Sequence, residues 1–322
     1  MFIVHACGPD MTRLIEISLP TGAAPAWTKA MEAAIIDMDV EIAPPGTPPQ
    51  QIDYLVYNID SGLTDFSAYT RLRAILNTWA GVEAVVATLK WPDHIPFCRM
   101  VEPGLTLGMT DYLVAHTMRY HIGIDRAIDQ SASGDWQKWL PPLAQERTVG
   151  ILGLGALGQA AAAALSGLGF PLVGWSRSPR TVPGVESFSG PEGLRPVLER
   201  SEILLVILPL TPETECVLNT ETLEWMPRGS FIINSGRGPL IDDDALLAAL
   251  GSGQIAHATL DVFRTEPLPD DHPYWRHRQV TVTPHIAAET RPATATREIA
   301  AQIARDMAGQ PLLHVVEPTR GY

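Results

Sequence analysis

From Thr148 onward the chain alternates between short, largely apolar runs and helical stretches, and this alternation restricts the fold more than any other feature. The runs are 149–152, 172–175, 203–208, 231–234, 255–260 and 280–283. Helical stretches fall at 157–168, 192–200, 221–226 and 245–250, the last capped by Asp242-Asp243-Asp244 and stopped by Gly251 and Gly253. A strand with little polar surface on either side must be covered on both faces, and parallel neighbours need a crossover segment between them. The pattern therefore predicts an α/β architecture, a doubly wound parallel sheet.

The first hundred residues repeat this logic more faintly. Candidate strands lie at 2–4, 54–57, 74–76 and 97–101, interrupted by a Pro-rich turn at 43–50. A helical stretch at 109–128, with Gly123 as its one breaker, leads into the second half. A further helix at 289–307, with Pro292 in its first turn and Gly309 at its end, follows the last strand. Its position predicts a return to the first domain. The expected organisation is a smaller, discontinuous α/β substrate domain of 1–100 and 287–322, and a dinucleotide-binding domain of 101–286.

Dinucleotide binding is expected because Gly153-Leu154-Gly155-Ala156-Leu157-Gly158 sits between a predicted strand and a predicted helix, as in a Rossmann-type unit. Gly153 permits the tight turn, Gly155 lets the backbone approach a pyrophosphate, and Gly158 allows the helix to pack on the sheet. The helix N-terminus, with its free N–H groups and positive dipole end, completes an anion site. About 20 residues further on, an acidic residue would bind a ribose 2′-OH. Here Trp175-Ser176-Arg177-Ser178-Pro179-Arg180 offers no carboxylate. Hydroxyls and guanidinium groups suit a 2′-phosphate instead, which predicts NADPH over NADH.

Three later loops each follow a predicted strand: Asn234-Ser235-Gly236-Arg237-Gly238, then Asp261 to Pro267, then Thr283-Pro284-His285. All fall at carboxyl ends of parallel strands, the edge where open α/β sheets bind ligands. Arg237, Glu266 and His285 supply an anion clamp, an orienting carboxylate and a proton donor.

On these residues the chain resembles the D-isomer-specific 2-hydroxyacid dehydrogenases, over nearly its whole length and most specifically from Val149 to His285. The resemblance implies a flavodoxin-like α/β fold for the smaller domain and catalytic roles for Arg237, Glu266 and His285. It also implies cofactor contacts from Gly153, Gly155, Ala156, Leu157, Gly158, Ser176, Arg177, Ser178, Arg180, Pro209, Ser235 and Asp261, the last to the nicotinamide carboxamide. Asn77-Thr78-Trp79-Ala80-Gly81-Val82-Glu83 stands where the family has a Gly-Ala-Gly-Val-Asp-like turn, so Gly81 and Val82 are expected to hold a substrate carboxylate through their backbone. Trp79 and Glu83 depart from that pattern.

Within the family, Trp175-Ser176-Arg177, Glu266-Pro267-Leu268-Pro269 and the ending Arg320-Gly321-Tyr322 are most similar to the glyoxylate/hydroxypyruvate reductase A group. The implied chemistry is hydride transfer from NADPH to a small 2-keto acid, glyoxylate to glycolate or hydroxypyruvate to D-glycerate, with protonated His285 as acid. Trp136 and Trp139 lie in the polar arm 131–142, and the resemblance implies that a tryptophan of this arm, Trp139, reaches the substrate in the partner subunit's active site. Tyr57 and Asn58 are weaker candidates for the cleft, and His94, His116, His121 and His257 are read as structural or exposed. A dehydrogenase for another 2-hydroxy acid fits the same residues, as does a nucleotide-sensing, corepressor-like protein of this fold.

Charge and composition narrow the partners. The net charge of −13 repels polyanions, so neither nucleic acid nor an anionic membrane is expected. Cys7, Cys98 and Cys216 have no short-spaced Cys or His companion, which argues against a metal site or a disulfide framework and fits a reducing cytoplasm. The longest apolar run, 203–208, is far too short to span a bilayer. A soluble, cytoplasmic homodimer, paired through the region around 109–128, is expected.

Overall fold

The computed structural model describes residues 12–317. The strand expected at 2–4, Cys7 and the ending 320–322 lie outside the described residues. The chain divides into two compact units, 12–104 with 290–317, and 105–289.

The first unit is built on β1 (Arg13–Ser18), α1 (Ala24–Ala34), β2 (Val40–Ile42), β3 (Tyr54–Tyr57), β4 (Ala74–Asn77), α2 (Glu83–Thr88) and β5 (Phe97–Cys98). Its strands are all parallel in the order β2-β1-β3-β4-β5, the flavodoxin-like winding. Alternate residues supply the two faces: Tyr54, Val56 and Leu76 lie in one core, and Leu55, Tyr57 and Ile75 in the other. Sequence reading missed β1 because Glu16 interrupts its apolar run. The Tyr69 hydroxyl donates to that carboxylate at 3.0 Å, so a half-buried strand tolerates it. The strand expected at 97–101 is only Phe97–Cys98.

The second unit comprises α3 (Pro103–Ile122, entering from the first), α4 (Ile124–Ser133), β6 (Val149–Leu152), α5 (Ala156–Gly167), β7 (Leu172–Ser176), β8 (Val185–Ser189), α6 (Pro191–Arg200), β9 (Ile203–Val206), α7 (Thr220–Glu224), β10 (Ser230–Asn234), α8 (Asp243–Ser252), β11 (Ile255–Leu260) and β12 (Val280–Val282). The seven strands run parallel in the order β12-β11-β10-β9-β6-β7-β8. Order reverses between β6 and β9, which makes that edge the topological switch point of a Rossmann sheet. Leu152, Leu204 and Ile232 bury into one face, Ile151, Ile203 and Ile233 into the other, so both faces are covered. The helical stretch expected at 109–128 is two helices, because its one breaker, Gly123, adopts φ 76° and interrupts the hydrogen-bond ladder. Edge strand β8 was also missed, since Glu186, Ser187 and Ser189 carry no apolar periodicity.

The chain then returns to the first unit as α9 (Pro292–Met307), with Pro292 at the first helical position. Ala295, Ile299, Ala300 and Ile303 recur at helical spacing and pack with Trp27 and Met31 of α1. Thr296 adds a hydroxyl bond to the Ala30 carbonyl at 3.3 Å.

Candidate active site

The carboxyl ends of β6, β7, β9, β10, β11 and β12 gather most of the residues singled out in the sequence. After β6, Gly153 sits at φ 112°, and a Cβ there would lie 2.6 Å from the Ile207 carbonyl oxygen. A Cβ on Gly158 would lie 1.9 Å from the Gly153 carbonyl oxygen, so α5 can approach the strand only at a glycine. Gly155 differs: the space where its Cβ would stand is open. The turn thus leaves a backbone cradle beside exposed Ala156 and half-buried Leu157 at the N-terminus of α5. No acidic side chain lies in that first turn and no side chain caps it, so its N–H groups face outward for an anion.

After β7, Ser176 is buried and its hydroxyl donates to the Ser178 carbonyl at 2.8 Å, which braces the turn. Arg177, Ser178 and Arg180 are exposed beyond it; the loop itself carries no carboxylate, and the Arg177 charge acts on Glu213, in the loop after β9. After β9, Pro209 is exposed, and its carbonyl accepts the Thr214 hydroxyl at 2.8 Å while the Thr211 N–H donates to the same oxygen of Thr214 at 2.8 Å. One threonine folds that loop. The arrangement fits a dinucleotide whose ribose carries a phosphate.

At the end of β10, buried Asn234 braces the next loop, donating from Nδ2 to the Arg237 carbonyl at 3.0 Å and accepting the Gly236 N–H at 3.1 Å. Sequence reading gave Asn234 no role, although its place as the polar last residue of an otherwise apolar run was a signal. Ser235 is buried and its hydroxyl lies 3.1 Å from the Met109 sulfur. Arg237 is half-buried, with Nη1 on the Gly236 carbonyl at 2.8 Å. A Cβ on Gly238 would lie 1.9 Å from the Phe263 carbonyl carbon. Only a glycine lets the Arg237 loop press against the loop that carries Glu266.

Glu266 faces two donors. Its Oε1 accepts the Phe263 N–H at 2.8 Å, and its Oε2 lies 2.7 Å from His285 Nδ1. Burial pushes the Glu266 carboxyl up, but the hydrogen bonds from His285 and Phe263 and the charges of His285 and Arg237 outweigh it and hold the group below the ordinary carboxylate value. The hydrogen bond to Glu266 raises His285 against the effect of burial, and the charges of Glu266 and Asp261 add to it. The imidazolium form is therefore favoured.

His285 itself stands at φ 54°, a left-handed conformation rare for a side chain of this size. Asp261, only 1% exposed, holds that turn. Its backbone carbonyl accepts the His285 N–H at 2.9 Å, and its carboxylate accepts the N–H groups of Ile286 and Ala287, each at 2.9 Å, and the Thr283 hydroxyl at 2.6 Å. The residue expected at a carboxamide is thus first an anchor for the His285 turn.

Other residues singled out in the sequence lie outside these loops. Gly81 and Val82 lie in the first unit immediately before α2, with the Val82 side chain buried in its core. Tyr57 does not line a cleft: it is fully buried, edge-on to Phe66 and Phe97, with its hydroxyl on the Leu63 carbonyl. Asn58 is buried and ties β3 to the loop after β4 through the Thr78 hydroxyl at 3.1 Å. Trp139 donates to the Ile122 carbonyl at 3.1 Å beneath the Arg126 guanidinium and packs over Gly123 at the α3–α4 break. Trp136, by contrast, is 88% exposed. His94 is exposed, His116 and His257 are partly buried against hydroxyls, and His121 is buried edge-on to Phe170.

Among the described residues no group of three His, Cys, Asp or Glu could hold a metal ion, and no helix is long and apolar enough to cross a membrane.

Comparison with known proteins places this site in a family. The profile for the D-isomer specific 2-hydroxyacid dehydrogenase NAD binding domain matches residues 114–287. A glyoxylate/hydroxypyruvate reductase A from Salmonella heidelberg is 37% identical over 311 residues, 94% of this chain and 98% of that one. The crystal structure of a D-isomer specific 2-hydroxyacid dehydrogenase from Xanthobacter autotrophicus, in complex with NADPH and MES, superposes with a TM-score of 0.88 at 39% identity, covering 97% of this chain and all of that one. An NADPH-dependent glyoxylate/hydroxypyruvate reductase from Sinorhizobium meliloti, in complex with NADP and sulfate, gives 0.83 at 32% identity over 96% of this chain and all of that one. With the strand order, the glycine turn and the His285–Glu266 pair in place, the chain belongs to the D-isomer-specific 2-hydroxyacid dehydrogenases.

Proposed function

We propose that this chain is an NADPH-dependent oxidoreductase that reduces small 2-keto acids, glyoxylate to glycolate and hydroxypyruvate to D-glycerate. The observation that carries the reading is the 2.7 Å His285–Glu266 pair, at the same sheet edge as a glycine turn whose neighbouring loop has guanidinium groups and no carboxylate. The names of the relatives support the substrate class, and the NADP-bound neighbours support the cofactor. When bound, NADPH supplies a hydride to the keto carbon.

The residues of the chain do the rest. Gly153, Gly155, Ala156, Leu157 and Gly158 hold the pyrophosphate on backbone N–H groups. Arg177, Ser178 and Arg180 bind the 2′-phosphate, with Ser176 shaping their turn, while Pro209 and Ser235 line the cofactor and Asp261 offers its remaining lone pair to the carboxamide. Arg237 binds the substrate and stabilises negative charge growing on the keto oxygen. His285 Nε2–H donates the proton to that oxygen, and Glu266 holds the ring charged and oriented. Gly81 and Val82 hold the carboxylate by their backbone, which gives the first unit a part in substrate binding beside the dinucleotide binding and catalysis of the second.

A homodimer through α3, α4 and the following arm is part of this reading. Exposed Ile122, Ile124, Ile128, Trp136, Leu140 and Leu143 support it, as apolar surface that a partner would cover. A cytoplasmic location is supported by the free thiols of Cys98 and Cys216.

The test is a kinetic panel of glyoxylate, hydroxypyruvate and pyruvate with both nicotinamide cofactors. NADPH oxidation matched by hydroxy-acid formation is the expected result. NADPH binding without turnover on any keto acid would replace the enzyme with a nucleotide-sensing protein.

A further inference from the structure

Helix α3 presents one stripe of residues, Met109, Tyr112, His116 and Tyr120, at spacings of three and four that place them on one face. Each reaches a strand or strand-end loop of the large sheet. Met109 meets the Ser235 hydroxyl, Tyr112 the Thr283 hydroxyl at 2.7 Å, His116 the Thr259 hydroxyl at 3.3 Å, and Tyr120 the same Thr259 oxygen at 2.5 Å.

The Tyr112 contact has a direction. Thr283 Oγ1 also lies 2.6 Å from Asp261 Oδ1, and a carboxylate can only accept. Thr283 therefore gives its single proton to Asp261, and the Tyr112 hydroxyl must donate to Thr283. Burial pushes the Tyr112 phenol up, which keeps that proton in place. The receiving carboxylate holds the N–H groups of Ile286 and Ala287, and the carbonyl of the same residue holds that of His285. A residue at φ 54° needs such bracing.

We propose that Tyr112 and Thr283 are positioning residues for the proton donor: the relay Tyr112 O–H to Thr283, and Thr283 O–H to Asp261, fixes the carboxylate that fixes the His285 turn. The kinetic consequence rests on the reading of His285 as the acid; the geometric one does not. In the second unit the charged groups facing the imidazole are Glu266, Asp261 and Arg237; changing Tyr112 or Thr283 removes none of these charges and can act only by moving Asp261.

The experiment follows the His285 titration by NMR, assigned with His285→Gln, together with kcat and KM for glyoxylate and NADPH and a thermal melt. The variants are Tyr112→Phe, Thr283→Val, their double and Thr283→Ser. Thr283→Val should move the His285 midpoint to lower pH as the Asp261 charge loses its place, and lower kcat by about tenfold with KM for NADPH unchanged. Thr283→Ser should restore both, and Tyr112→Phe should act in the same direction more weakly. The double variant should be no worse than Thr283→Val alone, because the phenol acts only through that hydroxyl. Folded Thr283→Val and Tyr112→Phe proteins whose His285 titrates as in the unaltered protein, or a double variant with additive losses, would overturn the relay. If the midpoint moves as stated while the unaltered protein reduces no keto acid, the relay stands and the proton-donor reading falls.

Discussion

Replacing Glu266 by Gln changes one oxygen to an amide nitrogen and leaves the side-chain shape nearly intact. Glu266 now accepts from the Phe263 N–H and from His285 at once. The amide of Gln cannot do both. With its oxygen on Phe263, its NH2 faces Nδ1 and requires a neutral imidazole; with the amide flipped, the Phe263 N–H meets a donor. Either arrangement disfavours the imidazolium. Hydrogen bonds to charged groups contribute about 1.5–3 kcal/mol, and the pair is 53% and 34% exposed, so water screens it and the lower end applies. About 1.5 kcal/mol is about tenfold. The kcat for glyoxylate reduction should fall by about that factor on the basic side of the profile, and the basic limb should move to lower pH, where protonated His285 is still present. At acidic pH the variant should approach the unaltered enzyme. The pair's stability contribution follows the same signs. The raised His285 contributes below its ordinary value of 6.5 and is lost as pH rises through its folded midpoint; the lowered Glu266 contributes above 4.5 and is lost as pH falls through its own. The melting difference between the two proteins should therefore be largest between those values. A Gln variant with an unmoved basic limb and kcat within threefold at every pH would refute the reasoning.

Two further substitutions test the anion sites. Arg177→Asp should lower kcat/KM for NADPH by about 10- to 100-fold and raise it for NADH, because a guanidinium that favours a 2′-phosphate becomes a carboxylate that favours a 2′-OH; an unchanged cofactor ratio by steady-state kinetics would remove Arg177 from cofactor choice. Arg237→Lys should keep the fold and the NADPH affinity but lower kcat/KM for glyoxylate by about two to three orders of magnitude, since an ammonium cannot reproduce the planar fork; a folded variant within threefold would show that the clamp lies elsewhere.

The elements legible in the sequence were those whose physics is local. Strands buried on both faces, such as Val149–Leu152 and Ile203–Val206, announce themselves as apolar runs, and α8 and α9 carry their own cap and proline signals. β1 and β8 were illegible because their polar residues are satisfied by partners far along the chain or face the edge of a sheet. Arg237, Glu266 and His285 were singled out through their places after strands, and the structure pairs the last two. The Asp261 anchor was not, because its hydrogen bonds to Thr283, Ile286 and Ala287 span more than 20 residues, and the Tyr112–Thr283 contact spans 171. Tyr57 was misplaced because a tyrosine at a strand end looks the same whether its hydroxyl faces a ligand or the Leu63 carbonyl.

The most direct measurement is the turnover of His285→Ala, with the NADPH dissociation constant determined on the same preparation. If the ring donates the proton, kcat for glyoxylate should fall by about a hundredfold or more while the NADPH affinity stays within about twofold, since general acid catalysis contributes on the order of 10²–10⁴ and the imidazole holds no phosphate. A His285→Ala enzyme that keeps the turnover of the unaltered protein would contradict the proposed chemistry at its centre.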